Sequence, residues 1–186
     1  MLSKIGSSST ISTLDISQSE IKPKTIESLS YAIIYQIQEV ISDYQNYPQF
    51  QKYEEDPERL NPFNRYKTPS IEIGSYLKRI VKYSYLEEST LIISLIYLDR
   101  YCEITKLILS NENIHRLLLI SILQAIKYNE DENFSDAQYA KIGLVSLEEL
   151  KELEVEFLLG IQFTLFIDED DFRSYDVYLS KFDDMM

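Results

Sequence analysis

The stretch NENIHRLLLISILQAIKY, residues 111–128, decides how this chain folds. Wound at 100° per residue, Ile114, Leu117, Leu118, Leu119, Ile120, Ile122, Leu123, Ala125 and Ile126 surround the helix axis. A helix that is apolar on nearly all sides must be buried on nearly all sides. Other helices must therefore enclose it, and a simple three-helix bundle offers no such position. The segment 87–106 repeats the pattern, because Leu91, Ile92, Ile93, Leu95, Ile96, Tyr97 and Leu98 cover most of its circumference.

The flanking sequence supplies the enclosing helices. Over 25–43, Ile26, Leu29, Ala32, Ile33, Ile37, Val40 and Ile41 follow a three-to-four spacing. Residues 44–64 hold Pro48, Pro57 and Pro62 among charges and read as an irregular connection. After Pro69 a helix is expected with Ser70 as its cap, Ile73, Tyr76, Leu77, Ile80 and Val81 on one face, and Lys82 and Tyr83 at its end. A short helix is expected over 135–142. Ser146 and Glu149 form a capping-box pattern ahead of a stripe of Leu147, Leu150, Leu153, Phe157, Leu158 and Ile161. Residues 161–167 are expected to be locally extended. Asp168, Glu169, Asp170 and Asp171 precede a last helix, where the macrodipole favours acids.

Composition narrows the chemistry. The 186 residues include 45% hydrophobic residues but only 4 Gly and 5 Pro, which argues against an all-β chain with many tight turns. The net charge of −13 repels phosphate backbones, so nucleic-acid binding is not expected. One Cys and one His cannot supply an internal disulfide or a usual zinc shell, so no metal is expected. Glycines at 6, 74, 143 and 160 lie too far apart for a phosphate loop, and no cofactor is expected. No apolar run reaches the roughly 18–20 residues of a membrane span. The Ser- and Thr-rich residues 1–24 lack a leader's apolar stretch and are expected to form a mobile arm. The expected location is intracellular, in cytoplasm, nucleus or both.

No catalytic constellation emerges. His115 stands beside Arg116 with no nucleophile indicated, and its expected role is structural. Cys102 lies late in an apolar helix, as buried free thiols commonly do. Glu154 is different: it falls inside the apolar stripe of its helix, between Ile161 and Leu158 in angle. A buried unpaired carboxylate is costly, so a basic or backbone-donor partner is required. Lys127, at the end of the apolar helix, is a candidate. Such a pair either ties two helices together or stands at the rim of a groove and meets another protein.

Several pieces, in order, resemble the cyclin box. Pro69-Ser70-Ile71 is followed by Tyr76-Leu77-Lys78-Arg79-Ile80 and by Tyr97-Leu98-Asp99-Arg100, similar to its first two helices. Asn113-Ile114-His115-Arg116 and Ala125-Ile126-Lys127-Tyr128 resemble the start and end of its third. Tyr139-Ala140-Lys141-Ile142-Gly143 and Leu153-Glu154 with Phe157-Leu158 follow. Tyr76, Arg79, His115, Arg116 and Gly143 give the motifs the form seen in P/U-type cyclins, relatives of the yeast phosphate-pathway cyclin. The likeness covers about 61–178.

The resemblance implies an all-α fold: a single five-helix cyclin box with its third helix central. The expected division is an arm over 1–24, a helix and linker over 25–60, the box over 61–167, and a helix and tail over 168–186. It implies a regulatory subunit without catalysis of its own, in a heterodimer with a cyclin-dependent protein kinase. In cyclins the Lys and Glu matching Lys127 and Glu154 meet the start of the kinase's C-helix. Tyr128 and Phe157 beside them are expected to share that contact. A cyclin-fold adaptor for a non-kinase partner is the alternative. Three departures stand out. Tyr76 replaces a Trp at the substrate-docking patch, Leu144 replaces a second Gly, and the family's Arg partner of Asp99 is missing, leaving Arg79 as the candidate.

Overall fold

A computed structural model describes residues 25–45, 62–131 and 134–181. The expected arm, most of the proline-rich connection and the last five residues lie outside the described residues. Those described form helices and no strand: α1 (Ile26–Gln45), α2 (Pro62–Arg65), α3 (Ile73–Ser84), α4 (Glu88–Thr105), α5 (Ile114–Asn129), α6 (Asp136–Ile142), α7 (Leu147–Gly160) and α8 (Glu169–Ser180). The all-helical class expected from the sequence is therefore found. No helix among them is long and apolar enough to cross a membrane.

The all-round apolar helix takes the central place. In α5 every residue from 114 to 126 is buried, and α2, α3, α4 and α7 pack around it. Full burial of a Leu or Ile side chain is worth about 1.5–3 kcal/mol, so α5 and its neighbours supply most of the driving force. The second all-round apolar helix, α4, lies against α5 on one side and is covered elsewhere by α1, α7 and α8. Asn113 sets where α5 begins: its Oδ1 accepts from the Ser110 N–H at 3.0 Å and its Nδ2 donates to the Ile108 carbonyl at 2.9 Å.

Four local expectations are corrected. Ser70 does not cap α3; the helix starts at Ile73 with Glu72 as N-cap. The reason is tertiary, because His115 Nε2 donates to the Ile71 carbonyl at 2.8 Å and holds that residue outside the helix. Ser146 Oγ does accept from the Glu149 N–H at 3.0 Å. The Glu149 carboxylate, however, turns away to Arg116 and does not close a capping box. Residues 161–167 are not extended throughout, because 161–163 form a turn. Gln162 and Phe163 adopt left-handed backbone (φ 53° and 55°). The carbonyls that follow are held by α4, with Tyr97 Oη donating to Leu165 O and Arg100 Nη1 to Thr164 O, each at 2.6 Å. Finally, Arg79 does not pair with Asp99. Its Nε donates to the Ile142 carbonyl at 2.9 Å, and Tyr175 of α8 donates to Asp99 Oδ2 at 2.6 Å instead.

Candidate functional site

Most residues of the sequence motifs share one structural role: their side chains grip backbone carbonyls between helices. Tyr76, fully buried in α3, donates to the Gly143 carbonyl at 2.8 Å. Arg79, one turn on, binds the carbonyls of Ile142 and Lys141. The last carbonyls of α6 have no partner within their own helix, so these donors satisfy them. Arg100 holds the Thr164 and Phe166 carbonyls. His115 holds Ile71, and burial pushes its imidazole below the ordinary value of 6.5 against the opposing hydrogen bond to Ile71. Arg116, 3% exposed, donates to Glu149 Oε1 at 2.7 Å and to the Lys67 carbonyl at 2.9 Å.

Two glycines are required by contact. A Cβ on Gly143 would meet Leu119 Cδ2 at 2.3 Å, and one on Gly160 would meet Tyr101 Cε2 at 2.2 Å. Leu144, where a second Gly was noted as absent, carries the left-handed conformation that ends α6 (φ 57°). Cys102 is buried, which pushes its thiol up to about 12. Among the described residues no group of three or more His, Cys, Asp or Glu could hold a metal ion.

Lys127 and Glu154 do come together. Lys127 Nζ lies 2.6 Å from Glu154 Oε1 and 2.8 Å from Asp136 Oδ1. Gln124 Nε2, one helical turn before Lys127, donates to the same Glu154 oxygen at 2.9 Å. Burial alone lowers the Lys127 ammonium; the two carboxylates outweigh it and hold it above the ordinary lysine range. The required partner for Glu154 is thus present, and the cluster joins α5, α6 and α7. Asp136 and Gln124 were not read from the sequence. Gln124 could have been found, as the polar residue one turn before Lys127 on an otherwise apolar helix.

The cluster is not sealed in the core. The Lys127 side chain is 29% exposed and that of Glu154 17%. Tyr128 beside it is exposed. Phe157 departs from expectation: it is fully buried, stacked on Tyr101 at 4.9 Å and met edge-on by Phe63. It belongs to the core, and the most exposed apolar side chains of α7 are Val155 (58% exposed) and Leu159 (57%), with Phe163 and Phe166 exposed just beyond the helix. A charge pair with spare donor and acceptor capacity therefore sits beside an uncovered apolar strip.

Comparison with known proteins follows the same line. A family model described as cyclin matches residues 8–165. The chain is 37% identical over 125 residues to Cyclin-U4-1 of Arabidopsis thaliana, covering 67% of this chain and 62% of that protein. It is 34% identical over 163 residues to Cyclin-U4-3 of the same plant, covering 87% and 69%. To Cyclin-P3-1 of Oryza sativa subsp. japonica it is 34% identical over 119 residues, covering 64% and 50%. The matched region thus spans between half and about seven tenths of these relatives' length.

Proposed function

The chain belongs to the cyclin family, and we propose that it is the non-catalytic regulatory subunit of a cyclin-dependent protein kinase, acting inside the cell. The region 61–167, as the cyclin box, carries the docking surface. A protein kinase is active only when the Glu of its C-helix pairs with the Lys of strand three. A subunit that binds this arrangement better than the inactive one shifts the population towards it. Val155 and Leu159 of α7 cover the apolar side of the C-helix, Tyr128 extends the contact, and Lys127 and Glu154 fix its register through charge-assisted hydrogen bonds.

The observation that carries this reading is the Lys127–Glu154 bridge, part-exposed and set beside an uncovered apolar strip. The test is to co-purify the chain with each candidate cyclin-dependent kinase and to assay kinase activity with and without it. Activation is expected. Lys127→Ala or Glu154→Ala should weaken the complex by about 2–5 kcal/mol, the usual loss when one charge of an interfacial pair is removed. Their effect on thermal unfolding should be smaller. Leu159→Asp, at an exposed site, should abolish binding and leave the fold intact. Normal kinase binding by all three variants would move the docking surface elsewhere.

A further inference from the structure

A cavity of about 690 Å³ opens where the end of α3, the start of α4 and the end of α5 converge. Its walls are aromatic. Tyr85 and Phe134 meet edge-on with centroids 6.2 Å apart, and Phe134 and Tyr139 meet at 6.0 Å. Its rim is acidic, formed by Glu87, Glu130 and Asp131, and among the described residues no lysine or arginine lines it. The Glu130 carboxylate is held in place, since its Oε1 accepts from the Glu87 backbone N–H at 3.1 Å. Ser84 also lines the cavity. It is only 6% exposed, and its buried hydroxyl meets no partner among the described residues.

These groups select by charge. Aromatic faces attract cations and carboxylates repel anions. A neutral apolar ligand would desolvate the carboxylates without pairing them. Among cations, a guanidinium stacks on rings and offers five N–H donors in a rigid fork, which matches rings and carboxylates around one cavity. The volume lies within the range of built ligand pockets, roughly 300–1,000 Å³. We propose that this cavity receives an arginine side chain from a basic segment of a partner protein. The chain's net charge of −13 draws such a segment in. The cavity shares no lining residue with the Lys127–Glu154 cluster, although Asn129 directly follows Tyr128, and the peptide test below needs no kinase.

The test uses the full chain labelled with ¹⁵N and the peptide acetyl-Gly-Ser-Gly-Arg-Gly-Ser-Gly-amide. The peptide should shift the amide signals of Glu87, Glu130 and Tyr139 in a saturable manner. The same peptide with citrulline in place of arginine keeps the shape and loses the charge, and should bind at least tenfold more weakly. The double variant Glu87→Gln, Glu130→Gln retains the Oε1 acceptor and should also lose at least tenfold. Tyr85→Asn, with an αL-tolerant residue at the exposed φ 53° position, should lose about threefold while signals elsewhere stay put. Equal binding of the citrulline peptide, unaltered affinity of the variants, or shifts confined to another surface would overturn the proposal. So would a dimer of the chain alone, seen by sedimentation and dispersed by the same substitutions, because it would assign the cavity to a second copy.

Discussion

Gly160 ends α7 under the ring of Tyr101, and the close approach leaves no room for a methyl group. Tyr101 is itself clamped between Phe63 and Phe157, so the ring cannot move aside. Gly160→Ala should therefore destabilise the chain by about 1–3 kcal/mol, the usual cost of overpacking a core. Thermal melting should register it as a drop of roughly 2–4 °C per kcal/mol for a domain of this size. Melting unchanged from the wild type would mean that the ring has another place to go. The sequence holds no sign of this contact, since a glycine near a helix end reads simply as a terminator. Phe157 teaches the reverse. Its place among Leu150, Leu153 and Ile161 on the α7 stripe already signalled burial, while the resemblance alone pointed it outwards. For a single side chain on a regular helix, the helical angle was the better guide.

Beyond the apolar core, elements are joined here by side chains that reach backbone carbonyls and by a few buried polar pairs. The last helix shows what one such pair does. Asp99 of α4 is 3% exposed and accepts from Tyr175 Oη of α8. Burial and the neighbouring Asp99 carboxylate raise the phenol well above its ordinary value, so it stays a donor at any physiological pH. Tyr175→Phe removes that donor and keeps the ring. Hydrogen bonds to charged groups contribute about 1.5–3 kcal/mol, and urea unfolding should show a loss of that size with an unchanged slope. A loss within error of zero would mean that α8 docks by its apolar contacts alone. The resemblance left Asp99 in need of a partner, with Arg79 as the candidate. Arg79 is occupied by the exposed carbonyls of α6, which spacing along the chain does not reveal.

At the scale of the molecule, one imidazole serves the whole chain. His115 lies in the packed zone between α5, the segment before α3, and Tyr76, whose ring stands 4.9 Å away. Burial depresses its folded pKa below 6.5, so the unfolded chain binds the proton more tightly. The stabilisation due to the neutral imidazole is complete above the unfolded value and is lost as pH falls below it. Urea midpoints should therefore decline as pH goes from 7.5 to 5.5. His115→Gln should flatten that decline, since no other side chain has an ordinary pKa in the window. An equal slope in the variant would place the pH sensitivity elsewhere.

The sequence by itself determined the longer helices and narrowed the central place to two of them, while the short α2 (Pro62–Arg65) lay at the end of a segment read as irregular. Periodicity and an all-round apolar helix are local facts, and burying that helix admits few arrangements. It also determined that Glu154 required a basic or backbone-donor partner, because an unpaired charge in an apolar stripe is too costly to leave alone. Only the tertiary structure decided how many groups would answer that need. Lys127 is joined by Gln124 of its own helix and by Asp136 at the start of α6. Only the tertiary structure, too, gathered Ser84, Tyr85, Phe134, Tyr139 and three carboxylates around one cavity. These residues come from two stretches of chain, 84–87 and 130–139. What brings them together is the packing of α3, α4 and α5, and no pattern within a single stretch records it.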